Sequence, residues 1–191
     1  IFMFYFEWEC YLLMFPPLSS SREIFVRQQP TGPSTPRVAP SRPSTHKVPG
    51  VVILSLEAIS DDNCVLLMWV VDPFLEQAFR VIDSWGFVYK TVGFTWAKTN
   101  QKSLGFSTGL GYWTRSNPEM CLLSTKGNPK RVSKSVKQLV VSSRREHSRK
   151  PDEMHTYIEQ LLEGPYIELF ARSTKEGWDS WGNEITKFNE K

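Results

Sequence analysis

The sequence is poor in cysteine and histidine, the side chains that most often build disulfide frameworks and metal sites. Its three cysteines, Cys10, Cys64 and Cys121, are odd in number and far apart, and there is no CxxC pair, so neither a disulfide framework nor a zinc site is predicted. The three histidines are scattered without an acidic cluster beside them and predict no metal centre. Because Cys64 and Cys121 adjoin apolar runs, we interpret both as buried thiols in a reducing compartment.

Signals for membrane insertion, dinucleotide binding and serine-hydrolase chemistry are also absent from the sequence. The first 15 residues are strongly apolar, but this run is short for a membrane span, carries Glu7 and Glu9, and lacks the basic start of a signal peptide. The glycines of residues 105–113 lack the strand and helix context of a GxGxxG fingerprint, and no nucleophile elbow is present. We therefore expect a soluble, cytoplasmic protein with no membrane partner.

Composition divides the 191 residues into three segments. Residues 1–18 form an apolar, strand-like segment that ends at Pro16 and Pro17. Residues 19–50 contain six prolines, many Ser and Thr, and one acid. This segment has too few apolar groups to offset the entropy lost on ordering, so we predict that it is disordered. Residues 51–191 have the composition of a single globular domain with a sizeable core.

Strand-like and helix-like patterns alternate after residue 51. The run VLLMWVV at 65–71 is typical of a strand that is buried on both faces of a sheet. Asp72 and Pro73 predict the N-cap and first position of a helix, and Gly86 predicts its end. The further strands are predicted at 87–98, 119–125, 136–143 and 166–172, and a second helix within 150–164. This alternation favours an α/β fold, a three-layer sandwich with a mostly parallel sheet.

The main charge feature is a basic stripe, residues 126–150, which contains nine Lys or Arg against one acid. Residues 151–191 reverse this balance, with nine acids against four basic residues. Such a stripe suits the phosphate backbone of a nucleic acid, and a solvated face is the alternative. The nearby Tyr112, Trp113 and Arg115 are suited to stacking on or gripping a nucleobase, which favours the first interpretation.

A second candidate site lies near the C-terminus, in the stretch YIELFARSTKEGWDSWGNE at 166–184. A buried strand ends here in polar residues, and ligands of open α/β sheets bind at the carboxyl ends of strands. Polar side chains at such an edge can hold the two hydroxyls of a ribose, while Phe170 or a tryptophan packs on a purine. Core packing alone does not explain why the polar residues Asn183 and Glu184 lie close to two tryptophans in the sequence. We therefore predict a ligand pocket here.

A resemblance to a known family is carried by five segments: VLLMWVVDP, WGFVYKTVGFTWAKTN, GLGYWTRSNPEMCLLSTKG, RREHSRKPDE and PYIELFARSTKEGWDSWGNE. Together they resemble the N6-adenine methyltransferases of the MT-A type, the prokaryotic and phage relatives of the eukaryotic messenger-RNA adenosine methyltransferase. The resemblance covers residues 54–185 in unbroken order. It implies a Rossmann-like class I methyltransferase fold that uses S-adenosylmethionine.

The resemblance also implies roles for individual residues. Those placed at the cofactor are Lys150, Glu168, Phe170, Arg172, Asn183 and Glu184. The lysine corresponds to the family lysine near the methionine carboxylate, the next three border the adenosine pocket, and the last two reach the ribose. Those placed on the substrate side are Tyr112, Trp113, Arg115 and Asn117, with Glu119 just after them, and the basic stripe adds Lys130 and Arg131.

The chain departs from the family at an N-terminal motif. Family members carry Asp-Pro-Pro-Trp after a strand, where the Asp carboxylate and a Pro carbonyl accept the hydrogens of the adenine amine beside a stacking ring. The corresponding residues here are Phe15, Pro16, Pro17 and Leu18, and neither Phe15 nor Leu18 can replace the family residue. We hypothesise that the N-terminal quarter is frame-shifted or otherwise altered relative to a working ancestor. A native protein with a disordered insertion is the alternative.

The expected function is transfer of a methyl group from S-adenosylmethionine to N6 of adenine, in DNA in preference to RNA. Activity is expected to be impaired, with Pro16 and Pro17 as the remaining catalytic candidates. The alternative is a catalytically inactive nucleic-acid-binding module or partner subunit of the same fold. Recovery of Asp-Pro-Pro-Trp in another reading frame would favour the enzyme, and its true absence would favour the module.

Overall fold

The structure is a computed structural model that describes residues 2–5, 11–12, 25–27, 51–53, 56, 59–111, 113–146 and 149–188. The strands in these ranges are β1 (Phe2–Tyr5), β2 (Tyr11–Leu12), β3 (Phe25–Arg27), β4 (Val51–Ile53), β5 (Cys64–Val70), β6 (Val88–Thr99), β7 (Pro118–Lys126), β8 (Leu139–Ser143), β9 (Tyr166–Leu169) and β10 (Trp178–Trp181). The α-helices are α1 (Leu75–Ser84), which follows a 3-10 turn at Asp72–Phe74, and α2 (Glu153–Leu161).

Seven strands form one sheet in the order β10-β9-β1-β5-β7-β6-β8. Parallel pairs join β1 to β5 and β9, β9 to β10, and β6 to β8. Only β7 among these strands runs the other way, because it pairs antiparallel with both β5 and β6. The sheet is thus mostly parallel, as predicted.

A second, antiparallel sheet joins β2, β3 and β4. The strand Phe25–Arg27 therefore lies inside the segment for which we predicted disorder, most of which is outside the described residues. The apolar segment 1–18 supplies strands to both sheets, since β1 enters the centre of the large sheet and β2 joins the small one.

The side chains of β5 alternate between two cores, one on each face of the large sheet. All seven residues of this strand are buried, as its continuous apolar run predicts. Leu66 packs in the cluster that contains Ile82 of α1, whereas Leu67 packs in the cluster that contains Ile158 of α2. Each fully buried side chain of this size contributes about 1.5–3 kcal/mol. One helix therefore covers each face, and a complete three-layer sandwich stays a prediction.

The start of α1 differs from the prediction, whereas its end agrees with it. Asp72 does not cap the helix, because the Phe74 N–H donates to the Val71 carbonyl at 2.9 Å and closes a 3-10 turn first. At the other end Gly86 has a φ of 77°, and its N–H donates to the Asp83 carbonyl at 2.9 Å. A residue without a Cβ adopts this backbone conformation at little cost, which is why the helix ends there.

The carboxyl ends of the six codirectional strands share one edge of the large sheet, here called the carboxyl edge, and β7 begins at it. The opposite side is called the amino edge. In open α/β sheets it is the carboxyl edge that binds ligands. The direction of β7 matters for the site, because it brings the first residues of this strand, rather than its last, to the carboxyl edge.

No helix among the described residues is long and apolar enough to cross a membrane. The same ranges hold no group of three or more His, Cys, Asp or Glu side chains arranged to bind a metal ion. Cytoplasmic location stays a prediction.

Candidate active site

Two lysines and one glutamate converge at the carboxyl edge. Lys150, just before α2, is buried, and its Nζ lies 2.8 Å from Oε2 of Glu119, the second residue of β7. Lys98, near the end of β6, contacts the other oxygen of the same carboxylate. The Lys150 Nζ also lies 5.7 Å from the ring centroid of Trp69, whose face attracts a cation. We call Lys98, Glu119 and Lys150 the lysine–glutamate cluster.

The electrostatics of the cluster keep Glu119 charged. Burial alone would raise the pKa of this carboxyl, but the charges and hydrogen bonds of Lys150 and Lys98 outweigh burial, so the pKa of Glu119 lies below its ordinary value. Cys121 lies two residues further along β7, and desolvation strongly raises the pKa of its thiol. A neutral buried thiol is a poor nucleophile, so cysteine chemistry plays no part in this cluster. The interpretation of Cys64 and Cys121 as buried thiols is confirmed.

The ends of β9 and β10 form a second part of the edge. The Ala171 N–H donates to the carbonyl of the last residue of β10 at 2.9 Å. A Cβ on Gly182 would lie 2.5 Å from the Ala171 oxygen, so no side chain fits at this position. The close approach brings the following residues to Arg172, whose Nε lies 3.1 Å from Oε2 of Glu184. Two of the residues predicted at the cofactor are thus in contact, and Asn183 precedes Glu184 in the chain.

Glu184 carries a stabilised negative charge at this corner. The hydrogen bond from Lys187, with the charges of Lys187 and Arg172, holds the pKa of Glu184 below its ordinary value against the opposing effect of burial. The side chain of Asn183 is exposed and that of Glu184 is only partly buried. Their oxygens are therefore able to accept hydrogen bonds from a ligand at the edge.

Phe170 joins this corner through an unusual backbone conformation. Its φ of 61° is uncommon for a residue with a bulky side chain, and such strain clusters at functional sites. The ring is partly buried and meets Trp181 edge to face, with ring centroids 5.5 Å apart. This conformation turns the chain at the end of β9, between the sheet and Arg172.

Glu168 lies apart from the other residues predicted at the cofactor. It is buried on the α2 face of the sheet, where its Oε2 is 2.9 Å from Nε2 of His155. The His155 ring meets Trp178 edge to face, with ring centroids 4.7 Å apart. The structure therefore joins Glu168 to α2, and its cofactor contact stays a prediction. His155 was not among the predicted site residues, because nothing in the local sequence pattern indicates a partner 13 residues away.

The loop between β6 and β7 projects from the carboxyl edge, and we call residues 100–117 the edge loop. Its base is fastened to β6, where the Ser107 N–H donates to the Lys98 carbonyl at 2.7 Å. The Asn117 amide donates to the same carbonyl at 3.3 Å and to the Ser107 carbonyl. At the tip Trp113 is 95% exposed, and Arg115 is exposed beside it. Asn117 thus fastens the loop, while Trp113 and Arg115 are presented to solvent.

The basic stripe is divided between the two edges of the sheet, and its contact with phosphates stays a prediction. Lys126 pairs with Cys64 at the amino edge, and Lys130 lines a cleft of about 300 Å³ there. The chain then returns to the carboxyl edge, where the Arg144 N–H donates to the Thr99 carbonyl at 3.0 Å. The length of β5 separates the two edges by about 20 Å. Lys130 and its exposed neighbour Arg131 are therefore far from Lys150.

Three predicted site residues, Pro16, Pro17 and Tyr112, lie outside the described residues. The strand that enters the large sheet beside β5 and β9 ends at Tyr5, ten residues before Phe15. The catalytic assignment of the two prolines stays a prediction.

The architecture and the carboxyl edge define the class of this protein, a Rossmann-like α/β protein whose candidate site lies at the carboxyl ends of parallel strands. The model of the MT-A70 family matches residues 37–184 of this chain. The chain belongs to the MT-A70 family, and the resemblance read from its five segments is confirmed.

Curated relatives agree with this assignment. The type II methyltransferase M.MunI of Mycoplasma sp is 36% identical over 135 residues, which are 69% of this chain and 55% of that protein. A putative N(6)-adenosine-methyltransferase MT-A70-like protein of Medicago truncatula is 38% identical over 128 residues, 64% of this chain and 20% of that protein. The human N(6)-adenosine-methyltransferase catalytic subunit METTL3 is 33% identical over 138 residues, 69% of this chain and 23% of that protein. The chain thus spans only part of each relative.

Proposed function

We propose that this chain transfers a methyl group from S-adenosylmethionine to N6 of adenine in a nucleic acid, in DNA in preference to RNA. The proposal rests on the location of four residues at the carboxyl edge of the large sheet: Lys150, Arg172, Asn183 and Glu184. The chain that places them there belongs to the MT-A70 family. The preference for DNA rests on the similarity to the type II methyltransferase M.MunI. The chain covers 55% of that protein, against 20% and 23% of the two adenosine methyltransferases.

The residues at the carboxyl edge fit the proposed cofactor. Lys150 offers a buried ammonium for the methionine carboxylate, although Glu119 shares it. The missing side chain at Gly182 lets the chain pack closely against the Ala171 backbone, and the oxygens of Asn183 and Glu184, which follow it, suit vicinal hydroxyls. When bound, S-adenosylmethionine supplies an electrophilic methyl group on its sulfonium.

The contribution of the chain itself is positioning rather than strong acid–base catalysis. The adenine amine is a weak nucleophile, and a transfer of this kind gains most from correct orientation of the two reactants. The edge loop projects from the same edge as Lys150 and presents Trp113 and Arg115, which suit stacking on a base and contact with a phosphate. We propose that this loop holds the adenine side of the reaction. Asn117 maintains it by joining its base to Lys98.

The alternative function is an inactive nucleic-acid-binding module of the same fold. Phe15 and Leu18 favour it, since they replace the carboxylate and the ring of the family motif. Loss of the carboxylate removes a charge-assisted hydrogen bond of about 1.5–3 kcal/mol, and loss of the ring removes about 1–3 kcal/mol of stacking. Together these losses correspond to a slowing of roughly a hundredfold to ten-thousandfold. An enzyme of low activity and an inactive binding module therefore have to be distinguished by measurement.

The test is transfer of tritium from methyl-labelled S-adenosylmethionine to duplexes that contain or lack adenine, with RNA of the same sequence as a further substrate. We expect slow incorporation into adenine-containing DNA, and less in the variant Lys150→Met. Incorporation that does not depend on adenine would contradict the proposal. Salt-dependent DNA binding without any incorporation, at enzyme concentrations equal to the substrate, would establish the inactive module. The variant with Phe15→Asp and Leu18→Trp tests whether the N-terminal residues account for the low rate.

A further inference from the structure

The lysine–glutamate cluster contains a cation that the proposed function leaves without a role. Lys98 contacts one oxygen of Glu119, and Lys150 lies 2.8 Å from the other. The side chains are 22% exposed at Lys98, 19% at Glu119 and 6% at Lys150, so solvent screens their interactions only partly. The three groups together carry one net positive charge, whereas Glu119 and Lys150 alone carry none.

We propose that Lys98 is a positioning residue that neutralises Glu119 and thereby lets Lys150 attract the amino-acid carboxylate of the cofactor. This inference rests on the proposed function. Without Lys98, Lys150 alone would compensate the charge of the buried Glu119 carboxylate. Glu119 would then compete with the cofactor carboxylate for Lys150 and would repel it. With Lys98 in place the cluster presents a positive charge at the carboxyl edge.

The backbone around Lys98 fixes its side chain in the required place. Its carbonyl accepts hydrogen bonds from the Ser107 N–H and the Asn117 amide, so the base of the edge loop is fastened to this residue. Its Nζ also lies 5.2 Å from the ring centroid of Trp96. The residue that compensates Glu119 thus also anchors the loop proposed to hold the substrate.

The test is calorimetric titration of the full chain with S-adenosylhomocysteine and with 5′-methylthioadenosine, which shares the adenosine and the sulfur but has no amino-acid carboxylate. The variant Lys98→Met should weaken binding of S-adenosylhomocysteine about tenfold, the scale of a hydrogen bond to a charged group, and leave 5′-methylthioadenosine unchanged. The variant Lys98→Arg should keep the parental affinity for both. Adding Glu119→Gln to Lys98→Met should restore most of the lost affinity, because no carboxylate then competes for Lys150.

Each outcome decides between the inference and a structural role. Equal weakening of both ligands in Lys98→Met would show that the lysine only supports the fold, and would overturn the inference. Failure of the double variant to recover would show that the charge of Glu119 is not the link. If the folded parent binds neither ligand, the proposed function itself fails. If the parent binds S-adenosylhomocysteine and Lys98→Met binds it equally well, only the inference fails. Circular dichroism of each variant establishes that it is folded.

Discussion

The contact between His155 and Glu168 predicts the largest loss of stability from one substitution outside the apolar cores. The two side chains are 12% and 5% exposed and are joined at 2.9 Å, which ties α2 to β9. Replacement His155→Ala leaves the Glu168 carboxyl buried without this partner. Leaving a buried hydrogen-bonding group without its partner costs about 1–3 kcal/mol. Taking the upper value of about 3 kcal/mol, because Glu168 is only 5% exposed, the expected fall in Tm is about 6–12 °C for a chain of this length.

The chain offers a matched control in the ion pair between Glu76 and Arg80, which are 72% and 58% exposed on α1. Replacement Glu76→Ala should cost less than about 1 kcal/mol, since solvent screens an exposed pair. Replacing both His155 and Glu168 by leucine should cost less than His155→Ala, because no polar group is then left buried. Thermal and urea unfolding followed by circular dichroism measure all three. Similar losses for His155→Ala and Glu76→Ala would refute the reasoning.

Three further predictions follow from the edges of the sheet. Replacing Lys130 and Arg131 by alanine should leave the salt dependence of DNA binding unchanged, whereas Arg144→Ala should lower the slope by about one, measured by fluorescence anisotropy; the reverse result would place the nucleic acid at the amino edge. Gly182→Ala should cost about 1–3 kcal/mol of stability and weaken S-adenosylhomocysteine binding, because the added Cβ meets backbone atoms. Thermal unfolding and calorimetry measure the two effects, and a variant that is unchanged in both would contradict the prediction. Because folding lowers the pKa of Glu119, the charged carboxylate stabilises the fold above the ordinary pKa of 4.5, and this contribution is lost as the pH falls through the folded pKa. The difference in unfolding free energy between the parent and Glu119→Gln should therefore shrink below about pH 4.5. A difference that does not depend on pH would contradict this prediction.

Local pattern was enough to predict much of the fold. The continuous apolar run of β5 indicated a strand buried on both faces, because both faces of the sheet are covered by a helix. The end of α1 was predictable from Gly86, since its conformation is set by a single residue. The start was not, because a 3-10 turn and an α-helix differ only in which carbonyl accepts the Phe74 N–H. Asp72 is compatible with either.

Prediction of the site was limited by contacts between distant parts of the chain. Arg172 was recognisable because it ends the predicted strand 166–172, and Glu184 because it is a polar residue close to two tryptophans, but their contact depends on a strand, β10, that was not predicted. The contact of Lys98 with Glu119 depends on the register of β6 against β7, which contains irregularities that the sequence does not announce. The division of the basic stripe was missed for a related reason. Linear charge counts do not show that the chain crosses from one edge to the other between Lys130 and Arg144.

The reversed direction of β7 places the edge loop on its own connection, between β6 and β7, apart from the connections that carry Lys150 and Arg172. Because β6 and β7 are adjacent and antiparallel, both ends of the edge loop leave from neighbouring positions on the same side of the sheet. Residues can be inserted or removed beyond the closure by Ser107 and Asn117 without shifting the register of either strand. The parts of the edge assigned to the cofactor, around Lys150 and Arg172, lie on other connections. Under the proposed function, sequence preference is thus able to diversify by exchange of this loop while the proposed methyl-donor pocket stays constant.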